Sequence, residues 1–98
     1  MESVNKIQFE PIEKEKIAEL KFPEEDVLHN EEEKKQRWQD LERATTLGNI
    51  DKIKFKIYFA DDKSHKYTET TIWGLTDKRV ILKQGVMIPV SRIFYIKY

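Results

Sequence analysis

The sequence predicts an α+β fold, mainly β: an N-terminal helix followed by a small, strongly bent antiparallel five-stranded barrel. Three observations predict it. The second half breaks into short apolar runs, IKFKIYF, KYTETTIWGL, RVILK, VMIPV and IFYIKY, parted by brief polar turns. The first of these runs alternates at period two without a break, the mark of a half-buried strand. A capped stretch with a narrow apolar stripe stands just before them. Ninety-eight residues give room for one domain. Residues 1–29 read as a charged, partly ordered tail, and residues 30–98 as the helix-plus-barrel domain.

Within residues 1–29, Ile7 and Phe9 stand two apart, which suits an extended segment laid on a sheet edge. Pro11 ends it for want of an amide donor. EKEKIAEL, residues 13–20, suits a short helix with Ile17 and Leu20 on one side, stopped by Pro23. Such thin apolar spacing favours a solvated tail.

The main helix is expected over residues 31–47. Asn30 is the N-cap, Glu33 stands three positions on, and Glu31 to Glu33 complement the helix dipole. Trp38, Leu41, Ala44, Thr45 and Leu47 form the stripe, with Glu, Lys, Gln and Arg outward. Gly48 fits the left-handed position that closes a helix. Trp38 reads as an anchor into the sheet.

In the first strand Ile53, Phe55, Ile57 and Phe59 point one way, and Lys52, Lys54, Lys56 and Tyr58 the other. Residues 60–65 have the composition of a hairpin connection, and Asp61-Asp62 belongs to that turn. In the next strand Thr68, Thr70 and Ile72 share one face; Tyr67, Glu69, Thr71, Trp73 and Leu75 share the other. Trp73 is expected in the core. Gly74 suggests the bend or bulge that a closing barrel needs. Residues 79–83 form a short strand, Gln84-Gly85 a two-residue turn, and Val86, Ile88 and Val90 one face of the next strand. Pro89 places that strand at an edge or bulge. Ser91-Arg92 makes a single turn, and residues 93–98 complete the sheet.

Composition limits the function. The chain has no cysteine, so disulfides, thiol catalysis and thiolate metal sites are excluded, and a cytoplasmic location is expected. The opening MESVNKIQFEPIEKEK has no apolar core of a signal peptide, and no apolar run approaches the roughly 20 residues of a membrane span. His29 and His65 lack spaced ligand partners, so no metal is expected. The three glycines, at 48, 74 and 85, fit neither phosphate-loop spacing, so no cofactor is expected. Ser64-His65 has no positioned acid or oxyanion glycines, and catalysis is not expected.

The layout of a helix and five short strands resembles Sm-like small barrels, and RVILKQGVMIPVSRIFYI is similar to their closing half, with Ser91-Arg92 at the turn. The same layout resembles the Rho-binding antiterminator family, and SH3-like barrels share the general shape. Gly74 with Asp77 matches part of the Sm glycine and aspartate–asparagine loop. IPVSRI stands where bacterial Sm proteins carry a histidine-bearing pocket, so the resemblance does not extend to ring assembly or uridine binding.

Net charge is zero, but residues 1–48 carry 13 acids and 8 bases, a net of −5, and residues 49–98 carry 5 acids and 10 bases, a net of +5. The candidate binding surface is the outward face of the first barrel strand: Lys52, Lys54, Lys56 and Tyr58, joined by Lys66, Arg79, Lys83 and Arg92 if the fold brings them near. The expected function is that of a non-catalytic binding module, a monomer or small homo-oligomer, with a protein partner. The alternative is single-stranded nucleic acid, with lysines on phosphates and an aromatic ring under a base.

Overall fold

The computed structural model describes residues 8–98. One long helix packs against a six-stranded, mainly antiparallel sheet. The strands are β1 (Glu10–Pro11), β2 (Lys54–Ala60), β3 (His65–Leu75), β4 (Arg79–Leu82), β5 (Met87–Pro89) and β6 (Ile93–Lys97), and the helix is α1 (Glu31–Asp51). The hydrogen-bonded order is β5-β4-β3-β2-β6, with β1 laid parallel on β3. The expected closure does not occur: the sheet is bent but not closed into a barrel, and β5 and β6 end the path on opposite sides. A sixth strand, β1, joins the five on this path where an edge-laid segment ending at Pro11 was expected, pairing through Glu10 and Pro11. Ile7 lies outside the described residues.

The alternation in β2 sets the inner face. Phe55, Ile57 and Phe59 are buried there, each worth about 1.5–3 kcal/mol of transfer free energy. Thr68, Thr70 and Ile72 of β3 share that face, as do Val80, Leu82, Ile88, Val90 and Ile93. Leu41 and Ala44 of α1 complete the core, with Trp38 and Leu47 packed at its margin.

Two irregularities shape the opposite, outer face. Ile72 pairs with Leu82 but Gly74 with Ile81, so Trp73 is an extra residue in β3. Tyr58 pairs with Tyr95 but Phe59 with Ile93, so Phe94 is an extra residue in β6. Each bulge leaves two successive residues, Trp73-Gly74 and Phe94-Tyr95, on the outer face. Trp73 keeps the outer face it shares with Tyr67 and is not the core residue expected; it is 49% exposed.

The helix starts where expected. The Asn30 side chain accepts from the amides of Glu32 and Glu33 at 2.7 and 3.2 Å. It ends a turn later than expected. Gly48 is not its closing residue but a buried interior one, and Lys52 takes the left-handed position at φ 57°. A Cβ on Gly48 would stand 2.5 Å from the carbonyl oxygen of Ile72. The glycine is what lets helix and strand meet this closely. The turn between β4 and β5 has φ of 69° at Gln84 and 83° at Gly85, the paired positive values of a tight hairpin.

Residues 8–29, before the helix, are packed on the sheet rather than free in solvent. Ile17, in a 3-10 turn over Lys14–Glu19, is wholly buried in the core. Phe22 packs against Phe59, their ring centroids 6.1 Å apart. Backbone bonds run from Ile12 to Tyr67, from Asp62 to Lys21 and from Val27 to Ser91, each 2.9 Å. Among the described residues no helix is long and apolar enough to cross a membrane.

Candidate functional site

The outer face of the sheet carries two adjoining surfaces. The first is an aromatic ladder. Strand pairing sets Tyr67, Tyr58 and Tyr95 side by side on β3, β2 and β6. Tyr58 stacks on Tyr67 at 5.3 Å and on Tyr95 at 4.8 Å between centroids. Phe9 closes one end, meeting Tyr58 edge-on at 5.0 Å. His65 and Phe94 stack beside it at 5.2 Å. Lys56 reaches over Tyr67, and Lys97 over both Tyr58 and Tyr95, with each ammonium 5.6–5.9 Å from the ring centre. Lys56 and Lys97 are direct cross-strand neighbours, and the rings beneath them offset like-charge repulsion.

The second surface surrounds Trp73. Gly48, Asn49, Lys52, Lys54, Thr71, Trp73 and Lys83 line a shallow depression of about 470 Å³. Among the described residues its lining holds three lysines and no carboxylate. Backbone contacts hold the strand that carries the indole: a bulge lies at Trp73 in β3, Gly48 seats the end of α1 against Ile72, and the Asn49 side-chain amide donates to the Trp73 carbonyl at 3.3 Å. Across the neighbouring strands follow Ile81, half-buried, and Met87, 51% exposed, which face each other in the β4–β5 pair. Trp73, Ile81 and Met87 thus make an apolar strip leading away from the lysine-lined depression.

The structure divides the predicted surface residues. Lys52, Lys54 and Lys83 meet at the depression, and Lys56 and Tyr58 belong to the ladder. Lys66 does not join them: it turns to the inner side beside Phe59, where its ammonium donates to Asp61 Oδ2 at 2.7 Å and to Ser64 at 2.6 Å. Arg92 is buried and structural, donating to the carbonyls of Ala60, Glu25 and Asp61. Arg79 lines a separate groove with Phe22, Pro23 and Pro89.

Two carboxylates fasten the scaffold beneath. Arg37, 7% exposed, grips both oxygens of Asp26 at 2.8 and 2.9 Å and donates to the Ile93 carbonyl at 3.0 Å. Burial pushes the Asp26 carboxyl up, but the Arg37 hydrogen bonds, the Leu28 amide and the charges of Arg37 and Lys34 together hold it below the usual range. Asp61 is alike: desolvation raises it, and Lys66 with the Ser64 and Lys63 amides outweighs that and lowers it. The same amide bonds at 2.8 and 2.9 Å make Asp61 the turn residue foreseen from its composition.

Sequence reasoning passed over Tyr67, Tyr95 and Lys97 as partners of Tyr58. The signal was the loop length: once Ala60 pairs with His65 across four turn residues, Tyr58 must meet Tyr67. Comparison with family models, with curated proteins and with solved structures finds no match for this chain.

Proposed function

We propose that this chain is a non-catalytic binding module that receives a protein partner on the outer face of its sheet. One observation carries the reading: Trp73, Met87 and Tyr95 stand at 40–51% exposure on that one face, within a frame of lysines. Exposed tryptophan, tyrosine and methionine in a polar rim are the composition of a protein-binding patch. Kinship with Sm-like or SH3-like small sheets belongs to the same proposal. The layout of a helix, a meander from β2 to β5 and a return through one turn to the edge of β2 supports it. A cytoplasmic location also fits, since the cysteine-free chain suits a reducing compartment.

Single-stranded nucleic acid is the second reading, favoured by the lysines themselves. The ring geometry weighs against it at the ladder. Both faces of Tyr58 are taken by Tyr67 and Tyr95, so a base would have to displace a stacked ring. The test is capture from nuclease-treated extract on immobilised protein, beside a variant with Trp73→Ser and Tyr95→Ser. A protein held by the parent and lost by the variant is expected. Capture that vanishes on nuclease treatment, or that the variant retains in full, would overturn the reading.

A further inference from the structure

We infer that the Trp73 depression is the docking point for an acidic segment of the partner, with an apolar side chain seated on the Trp73–Ile81–Met87 strip. The inference deepens the protein-binding reading and rests on it. Its first support is charge. Lys52, Lys54 and Lys83 converge on the depression, and among the described residues its lining holds no carboxylate to neutralise them. Like charges gathered around one depression repel one another, and a polyanionic segment relieves that repulsion as it binds.

The second support is the strip. A base needs a single ring face, whereas Trp73, Ile81 and Met87 present one aromatic and two aliphatic side chains in succession over three strands. Aliphatic or aromatic side chains fill such a strip. Methionine adapts to their shape, and the indole supplies a large rigid contact. The third support is preorganisation. The backbone that carries the indole is held by the close seating of Gly48 on Ile72 and by the Asn49 bond to the Trp73 carbonyl. Little backbone freedom is then lost on binding.

The test uses the full chain and a labelled synthetic peptide in which glutamates alternate with leucine and phenylalanine. Anisotropy is read at low and physiological salt. Two control peptides replace the glutamates with glutamine or the apolar residues with serine, and a labelled oligouridylate is the nucleic-acid arm. Tighter binding of the acidic–apolar peptide than of either control is expected. Trp73→Ala should weaken it about tenfold or more, and Lys52, Lys54 and Lys83 changed together to Gln by a similar factor. Lys63→Gln, on the exposed turn before β3, should leave it unchanged. Met87→Ser provides a second, exposed change, expected to weaken binding without disturbing the fold.

Equal affinity for the glutamine control, or indifference to both the Trp73 and Met87 changes, overturns the inference. So does tighter binding of oligouridylate that the lysine changes abolish. Separate fates are readable for the two proposals. A captured protein partner that is indifferent to Trp73, Met87 and the three lysines removes this inference and leaves the protein-binding reading standing.

Discussion

Asp26 and Arg37 are eleven residues apart, and their pairing ties the segment before α1 to the helix and, through Ile93, to β6. Nothing local in the sequence marks it. Arg37 reads as part of an outward charged face because its partner lies in a stretch without periodicity. Arg92 was hidden in the same way, since a turn arginine is ordinarily solvated. The pair makes stability depend on pH. Asp26 and Asp61 titrate below the usual range when folded and near the ordinary value of about 3.9 when unfolded. Their contribution is complete above that ordinary value and is lost as pH falls through the depressed folded values. Asp26→Asn should cost about 1–3 kcal/mol at neutral pH, because it leaves the buried guanidinium without its counter-charge. It should also flatten the fall in stability between about pH 5 and pH 3, with Asp61 supplying the remaining slope. Urea denaturation of both proteins across that range measures the two effects. Parallel stability curves would show that Asp26 is not the linked group.

At the scale of the element, α1 was legible at its start and misread at its end. Asn30 and the glutamates after it are local signals, and they act locally. Gly48 follows an apolar stripe and so looks like a stop. Its role is tertiary: it admits the Ile72 carbonyl, and the helix continues to Asp51. These two roles of glycine cannot be separated without knowing what the helix packs against. Gly48→Ala decides between them. In an unconstrained helix the change is worth about 1 kcal/mol of added stability. Here the new methyl meets a backbone oxygen at 2.5 Å, and shifting helix from strand should cost more than that gain, for a net loss of about 1–2 kcal/mol. The denaturation midpoint should fall while far-ultraviolet dichroism keeps its helical signal. A rise in midpoint would contradict the close seating of α1 on β3. The turns were read better, because Asp61 and Gly85 satisfy their own backbone demands within a few residues.

For the whole molecule, strand alternation made the two faces of the sheet legible, and strand count with the bend at Gly74 suggested closure. Closure depends on whether the last strands meet, which is a matter of long-range geometry, and here β5 and β6 remain apart. The core contribution of Ile17 was half legible: its spacing with Leu20 suited the short helix that forms there, but so few apolar residues among charges did not show that it would be buried, and Phe22 carried no period. The candidate surface was half legible. Lys54, Lys56 and Tyr58 lie on the outer face that alternation assigned to them, and Trp73 lies there too, on the face it shares with Tyr67; what alternation did not show is that this face stays uncovered at Trp73, which was expected in the core. The most direct test of the account is a two-dimensional nitrogen–proton correlation spectrum of labelled protein titrated with the acidic–apolar peptide. The largest shifts are expected on the Trp73 indole and on the amides around Lys54, Ile81, Lys83 and Met87, with the Arg79 groove silent. Shifts centred on the Arg79 groove, or spread evenly over the lysines of both faces, would contradict it.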